Sequence, residues 1–278
     1  MTNVLFDIEL NKARMKNLKI RSLEQHDFSI EELEQIARSA GEIIKAHYTQ
    51  GVAHDFKSSR QVVTAADRES EQFLKERLLE LYPCHFYGEE SGGNVIEQGD
   101  QWIVDPLDGT ENMTGYPPLL AISIGLLRNG IPVLGVVYDP IHDILYRAQE
   151  GGQLKINGEV TRIRSQTEPT NAVVGLDFSS EMRTRPKTLD QLSRVLERAR
   201  SVKVFGAPVL SLAEVAAGRL DLFFRPSTKI TDMVAGVCII RASGGKVIDY
   251  EGENWTIYSK GVIAGSSEMI DAYLPCFK

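Results

Sequence analysis

The first clear pattern of apolar residues spans residues 29–48 and repeats at the spacing of an α-helix. Seven apolar positions fall near one helical face: Ile30, Leu33, Ile36, Ala37, Ala40, Ile43 and Ile44. Ser29 and Glu32 fit a capping box, in which each side chain accepts a backbone N–H of the other residue. A polar stretch, residues 54–61, interrupts the pattern, and residues 67–82 predict a second helix that ends at Pro83.

Short apolar runs follow and predict β-strands. QWIVD (residues 101–105) is short and continuous, and residues 119–148 have the pattern of successive strands. Asn129-Gly130 lies between two of them and predicts a tight hairpin turn, because both residue types tolerate positive φ. Residues 150–163 predict another hairpin around Asn157-Gly158.

Strands and helices alternate in the second half of the chain. The predicted strands cover residues 171–177, 202–205, 221–225 and 245–249, and the predicted helices cover 188–199, 209–218 and 232–243. This alternation predicts an α/β layer packed beside a more antiparallel α+β half. We therefore predict an N-terminal arm (1–28), an N-terminal α+β lobe (29–160) and a C-terminal α/β lobe (161–278).

Composition narrows the range of functions. The chain has 278 residues and a formal charge of −7, which argues against nucleic acid as a partner. Its longest apolar runs are far shorter than the roughly 18 residues that span a bilayer, and residues 1–25 lack the apolar segment of a signal peptide. We therefore expect a cytoplasmic protein without a membrane partner. The three isolated cysteines predict reduced thiols, and the five histidines lack zinc-ligand spacing.

Acidic residues stand where predicted elements begin or end. Glu89 follows a short strand-like stretch, Asp105 and Asp108 follow the apolar run WIV, and Asp232 and Asp67 open helices. Each has an ordinary alternative explanation, because acidic residues cap helices and form turns. Taken together they instead indicate a single site.

Four of these residues, Glu89, Asp105, Asp108 and Asp232, offer only oxygen ligands, which suits Mg²⁺ better than zinc or copper. Asp105 and Asp108 are three residues apart around Pro106, so the turn can direct both carboxylates to one side. One of them can then bridge two ions about 3.5–4 Å apart, the separation used in two-metal phosphoryl hydrolysis.

Gly109 and Thr110 follow at a position where a helix could begin. Free backbone N–H groups at a helix start bind anions, and the hydroxyl of Thr110 could orient a water molecule. Carboxylates suited to metals beside N–H groups suited to an anion indicate hydrolysis of a phosphate ester.

Three ordered motifs carry a family resemblance: GEES (88–91), DPLDGTEN (105–112), and TDMVAG (231–236) with ASGGKVID (242–249). Together they resemble the inositol monophosphatase family over residues 29–275. That family belongs to a group of Mg²⁺-dependent, lithium-sensitive phosphatases that includes fructose-1,6-bisphosphatases and 3′-nucleotide phosphatases. The resemblance implies a layered αβαβα sandwich of the sugar-phosphatase type, and a homodimer.

The resemblance also implies a role for each matching position. Glu89, Asp105 and the carbonyl of Leu107 would hold a first Mg²⁺, and Asp105, Asp108 and Asp232 a second. A third, weaker ion would be associated with Glu89. The expected cofactor is therefore two or three Mg²⁺ ions.

The same resemblance assigns the attacking water to Thr110 and Glu89, which would orient and deprotonate it, while Asp67 would set the hydroxyl of Thr110. The phosphate would accept hydrogen bonds from the N–H groups of Gly109 and Thr110. The full set of expected substrate contacts is Asp108, Gly109, Thr110, Arg225 and Asp232. The expected reaction is hydrolysis of a small sugar or polyol phosphate, of the inositol-1-phosphate type, by metal-activated water.

Three departures from the family pattern bear on the substrate. Thr231 stands where the family usually has tryptophan, and Met113 where it commonly has phenylalanine. Arg225, with Lys229 nearby, replaces an acidic residue seven positions before Asp232 that contacts inositol in the family. Arginine pairs well with a phosphate group. Arg225 therefore indicates either a second phosphate on the substrate, as in fructose 1,6-bisphosphate, or a structural ion pair.

Two further alternatives stay open at the level of sequence. A 3′-phosphoadenosine phosphatase would share the same metal motifs, although no adenine-stacking aromatic residue is evident. A metal-binding scaffold without activity is the non-enzyme alternative, but the complete ligand set together with Thr110 favours hydrolysis.

Overall fold

The computed structural model describes residues 28–50, 54–58, 61–114 and 118–277, which form five alternating layers of helices and sheets. The first layer, on one outer side, contains helices α1 (Ile30–Gln50) and α2 (Ala65–Leu81). The predicted capping box is confirmed, with Ser29 N donating to Glu32 Oε2 at 3.2 Å and Glu32 N donating to Ser29 Oγ at 3.1 Å. The polar stretch between the helices forms an antiparallel pair, β1 (His54–Ser58) and β2 (Gln61–Thr64).

A seven-stranded sheet forms the second layer, with its strands in sequential order. Its first two strands are parallel and all later neighbours are antiparallel. The members are β3 (His85–Gly88), β4 (Asp100–Asp108), β5 (Ala121–Arg128), β6 (Ile131–Asp139), β7 (Ile144–Gln149), β8 (Lys155–Ile156) and β9 (Glu159–Val160). Both predicted hairpin turns are present, and the four residues Asn129, Gly130, Asn157 and Gly158 all have positive φ.

The second sheet has five strands in the order β11-β10-β12-β14-β13. These are β10 (Val173–Leu176), β11 (Ser201–Lys203), β12 (Leu222–Arg225), β13 (Lys246–Ile248) and β14 (Val262–Gly265). Four helices accompany it: α3 (Arg185–Leu196), α4 (Pro208–Ala216), α5 (Val234–Ala242) and α6 (Ser267–Tyr273). Short 3-10 turns occur at Thr110–Thr114, Pro169–Asn171, Met182–Thr184 and Leu274–Phe277.

Three buried apolar clusters hold the layers together. The first joins α1 and α2 to the seven-stranded sheet through residues such as Leu33, Leu74 and Trp102. The second places α4 and α5 between the two sheets, and the third packs α3 and α6 against the outer face of the five-stranded sheet. This α-β-α-β-α order confirms the predicted layered sandwich. Because burial of apolar area drives packing, the central helices must be apolar on both faces.

The central helices α4 and α5 make it difficult to divide the chain into an N-terminal and a C-terminal lobe. Both come from the later half of the sequence, yet they pack against the seven-stranded sheet of the earlier half. The division into lobes at residue 160 stays a prediction, and the N-terminal arm lies outside the described residues apart from Phe28. Among the described residues, no helix has the length and apolar character that crossing a bilayer requires.

Candidate active site

The carboxyl end of β4 supplies the first two acidic residues. The pairing of β4 with β5 shifts register between Asp105 and Asp108, an irregularity of the β-bulge kind. The N–H of Leu107 donates to Asp105 Oδ1 at 2.9 Å and fixes that carboxylate. Asp105 and Asp108 both line one cleft of about 300 Å³.

A glycine makes the next turn. Gly109 has φ of +83°, and a Cβ placed there would lie 2.5 Å from the carbonyl oxygen of Leu119. Only glycine fits this position without strain. Gly109 and Thr110 both line the cleft, and Thr110 begins a short 3-10 helix.

Three carboxylates from separate parts of the chain meet beside this turn. Glu89, Asp105 and Asp232 each offer a ligand oxygen within 4.8 Å of the others. Pairing of β3 with β4 places Glu89 next to Asp105, since Glu89 N donates to the carbonyl of Val104 at 3.1 Å. Asp232 arrives from the segment between β12 and α5.

The electrostatic state of these groups matches their crowding. Burial, and then the neighbouring carboxylates Glu89, Asp108 and Asp232, raise the pKa of Asp105 well above its usual value. Burial, followed by Asp232, raises the pKa of Asp108 in the same way. The donor set contains only oxygen, so it fits a hard divalent cation that would offset the repulsion between these carboxylates.

Thr110 and Asp67 are brought together although 43 residues separate them. Thr110 Oγ1 lies 3.0 Å from both Asp67 Oδ1 and the carbonyl oxygen of Leu107. Asp67 also accepts from the N–H of Thr64 at 2.7 Å and from its hydroxyl at 2.6 Å, at the start of α2. Desolvation by burial raises the pKa of Asp67 despite these donors.

Asp108 lines the same cleft but is not a member of the group of three, whose ligand oxygens all lie within 4.8 Å of one another. Its Oδ2 accepts from the N–H groups of Val209 at 2.7 Å and Leu210 at 3.2 Å, at the start of α4. A carboxylate is well placed there because the helix start carries partial positive charge. One oxygen of Asp108 thus anchors the central helix at the cleft.

Two cations contact the acidic group, Arg225 from the end of β12 and Lys229 from the segment after it. Arg225 Nη1 donates to Asp232 Oδ2 at 2.7 Å, and Lys229 Nζ donates to Glu89 Oε1 at 2.6 Å. Burial alone would lower the pKa of Lys229, but the charges of Glu89 and Asp232 outweigh it and raise the pKa. Of the two interpretations of Arg225, the structural ion pair is therefore present, and a contact with substrate stays a prediction.

Three residues near the site were not predicted from the sequence. Buried Asp177 accepts from the N–H groups of Phe205 and Gly206, at 3.1 and 2.7 Å, and positions the loop before α4. Arg185, the first residue of α3, lines the cleft wall, and Glu71 is buried beneath the Glu89 loop. The only sequence signal for Glu71 was its spacing of one helical turn from Asp67.

Known proteins share both the sequence and the fold. The model of the inositol monophosphatase family matches residues 26–275. Inositol monophosphatase 2 of Solanum lycopersicum is 33% identical over 86% of this chain and 94% of its own. The inositol-1-monophosphatase of Bacillus subtilis is 32% identical over 84% and 92%.

A solved structure agrees with these relatives. The extragenic suppressor protein suhB from Bartonella henselae superposes with a TM-score of 0.84 at 32% identity, over 90% of this chain and 98% of its own. The family model spans nearly the whole described chain, and it includes all the acidic residues of the cleft. The chain therefore belongs to the inositol monophosphatase family and is a phosphoric monoester hydrolase.

Proposed function

We propose that this protein hydrolyses a small sugar or polyol phosphate, of the inositol-1-phosphate type, in a Mg²⁺-dependent reaction. The observation that carries the proposal is the position of the Glu89, Asp105 and Asp232 carboxylates in the same cleft as the Thr110 hydroxyl. The carboxylates are suited to binding cations, and the hydroxyl is suited to orienting a water molecule. The names of the tomato and Bacillus relatives support the substrate class.

Two or three Mg²⁺ ions would be held by the carboxylates of Glu89, Asp105, Asp108 and Asp232, with the carbonyl of Leu107. When bound, such ions offset charge on phosphoryl oxygens and make hydroxide available near neutral pH. The raised pKa values of Asp105 and Asp108, caused by burial and then by neighbouring carboxylates, support this assignment, because buried and crowded carboxylates gain most from a nearby cation.

Thr110 and Glu89 would prepare the attacking water. The Thr110 hydroxyl has one hydrogen, which it donates to Asp67 or to the Leu107 carbonyl, both 3.0 Å away. Its oxygen is then left to accept a hydrogen from water. The carboxylate of Glu89 would take the second water proton as general base.

The backbone N–H groups of Gly109 and Thr110 would hold the phosphate. Both residues line the cleft beside Asp105 and Asp108. Fixed backbone donors stabilise the negative charge of the transition state without reorganisation. Contacts of Asp108, Asp232 and Arg225 with the substrate complete the proposed set.

A bisphosphate substrate, such as fructose 1,6-bisphosphate, is a second candidate favoured by two arginines at the cleft. Arg185 and Arg225 both line it, in a protein whose overall charge is −7. Arg225 is already paired with Asp232, whereas the Arg185 hydrogen bond to the Ser179 carbonyl is long, at 3.5 Å. Arg185 is therefore the better placed of the two to meet a second phosphate.

A panel of phosphate esters assayed with Mg²⁺ tests these proposals. It should contain inositol 1-phosphate, fructose 1,6-bisphosphate, 3′-phosphoadenosine 5′-phosphate and a generic monoester. The first candidate requires the highest kcat/KM for the polyol monophosphate. Release of phosphate from none of the esters, despite Mg²⁺ binding, would favour the scaffold alternative.

Arg185→Ala and Arg225→Ala separate the two candidate substrates. For a bisphosphate enzyme, Arg185→Ala lowers kcat/KM for fructose 1,6-bisphosphate at least about 10-fold more than for inositol 1-phosphate, because each paired charge is worth about 1–3 kcal/mol. Equal losses on both substrates would reject a second-phosphate contact for the residue concerned. Assays at saturating Mg²⁺ keep any effect on metal binding out of the comparison.

The homodimer and the cytoplasmic location also stay proposals. The family resemblance supports the dimer, which light scattering coupled to size-exclusion chromatography would test. Fractionation of cells that express the tagged protein would test the location.

A further inference from the structure

Glu71 is a buried carboxylate of α2 with no part in the mechanism above. Its residue is 4% exposed. Its two oxygens accept from consecutive backbone groups, Oε2 from Glu90 N and Oε1 from Ser91 N, both at 2.7 Å. Those N–H groups directly follow Glu89. One carboxylate thus holds both peptide groups after the proposed metal ligand.

A glycine creates the space that this arrangement needs. A Cβ at Gly88 would lie 2.6 Å or less from the carboxylate carbon and both oxygens of Glu71. Real Cβ atoms essentially never approach so closely, so a larger residue would displace the carboxylate. Gly88 and Gly92 also exchange backbone hydrogen bonds of 3.3 and 3.0 Å and close the loop around Glu89.

The same helix also reaches the other half of the site. Asp67, one turn before Glu71, accepts from Thr110 Oγ1 at 3.0 Å. Ser70 Oγ donates to the carbonyl of Pro106 at 3.3 Å, between Asp105 and Leu107. Residues i and i+4 of a helix share a face, so one face of α2 contacts both the Thr110 turn and the Glu89 loop.

We propose that Glu71 is a positioning residue that holds the Glu89 carboxylate beside Asp105 and Asp232. Hydrogen bonds from two N–H groups to a charged acceptor are about twice as strong as neutral ones. The hydrogen bonds to Glu71 fix the backbone that follows Glu89, while the hydrogen bond from Glu89 N to the Val104 carbonyl fixes the backbone of Glu89 itself. This role rests on the proposed function, because it matters only where Glu89 binds the metal.

Calorimetric titration of the metal-free protein with Mg²⁺ tests this role. The variants are Glu71→Ala and Glu71→Gln, with Glu69→Gln as the matched control. Glu69 is an acidic residue of the same helix, but it is exposed and pairs with His47 on the surface. We expect Glu71→Ala to weaken Mg²⁺ binding at least about 10-fold and Glu71→Gln less, since glutamine keeps one acceptor oxygen.

A second variant tests the contact from the opposite side. Gly88→Ala should also weaken Mg²⁺ binding, because its Cβ displaces the Glu71 carboxylate. In the Glu71→Ala background that carboxylate is gone, so the additional change Gly88→Ala should weaken Mg²⁺ binding by less than a further factor of about 2. Non-additivity of this kind is the signature of a shared interaction. Independent, additive losses would overturn the proposal.

Stability is measured in parallel to separate positioning from folding. Should Glu71→Ala fail to fold, the comparison of Glu71→Gln with Glu69→Gln decides the outcome. A lowered melting temperature with Mg²⁺ affinity within about 2-fold of wild type would show that Glu71 only stabilises the loop. Absence of Mg²⁺ binding by the wild-type protein would instead overturn the proposed function, and this inference with it.

Discussion

The guanidinium of Arg225 donates from Nη1 to Oδ2 of Asp232 at 2.7 Å, and both residues are buried at the cleft. This pair places a fixed positive charge on one of the three clustered carboxylates. Nε of the same arginine is buried and has no hydrogen-bond partner among the described residues. A positive charge at this position bears directly on how strongly the carboxylates attract metal ions.

Replacement of Arg225 by glutamine should therefore strengthen Mg²⁺ binding. The change removes a positive charge that competes with the ions for Asp232, and a gain of about 10-fold corresponds to about 1.4 kcal/mol. Calorimetric titration of the metal-free protein measures it. Arg185→Gln, which removes a cleft arginine with no bond to the three carboxylates, serves as the control. Equal or weaker Mg²⁺ binding by Arg225→Gln would show that the pair orients Asp232.

Replacement of Asp105 by asparagine should abolish activity but preserve the fold. Asparagine can still accept the N–H of Leu107, and the change removes a carboxyl group whose pKa is raised first by burial and then by repulsion from neighbouring carboxylates. We expect kcat to fall by about 100-fold or more, the cost typical of a lost electrostatic contact at a reacting centre.

Thermal unfolding gives the second readout for Asp105→Asn. The metal-free variant should melt at or above the wild-type temperature, and Mg²⁺ should no longer raise it. Retention of the Mg²⁺-induced stabilisation would contradict the assignment of Asp105 as a ligand.

The Thr110 hydroxyl is expected to act on kcat more than on KM. Thr110→Ala removes the oxygen held between Asp67 and the Leu107 carbonyl, so we expect kcat to drop by about 10²-fold or more. Thr110→Ser keeps the hydroxyl and should retain activity within about 10-fold of wild type. Steady-state kinetics at saturating Mg²⁺ measure both, and equal losses in the two variants would argue against a role for the hydroxyl.

Metal-free stability should fall as pH rises. Burial raises the pKa of Asp177 from 3.8 to about 6, and Asp105, Asp108 and Asp232 shift in the same direction. The folded state therefore holds these protons more tightly than the unfolded chain. For Asp177, the resulting stability is fully present below about pH 4 and is lost as pH rises to about 6.

Melting curves with EDTA and with Mg²⁺ between about pH 5 and pH 7.5 check this dependence. Metal binding releases protons from its ligands, so the Mg²⁺-induced rise in melting temperature should grow with pH. Subtracting the melting temperature in EDTA from that in Mg²⁺ cancels the contribution of most titratable groups remote from the site. A Mg²⁺ effect that shrinks with rising pH would contradict the prediction.

Local chemistry explains why much of this protein could be predicted from sequence. The capping box at Ser29 and the turns at Asn129-Gly130 and Asn157-Gly158 depend on contacts within a few residues. The DPLDGT segment likewise carries its own local geometry, since the register shift around Pro106 and the positive φ of Gly109 lie within a few residues of each other. Strand β14 and helix α6 were not predicted; the seven residues of α6 make only about two helical turns, too few to establish a period.

The acidic residues themselves, and the order of their motifs, are properties of the sequence alone. Tertiary structure decided which of them meet: Glu89, Asp105 and Asp232 form one group, while Asp108 holds the start of α4. It also decided that Arg225 is paired with Asp232. These outcomes depend on how strands β3, β4 and β12 come together across two sheets, and packing between distant segments leaves no periodic signal in the chain.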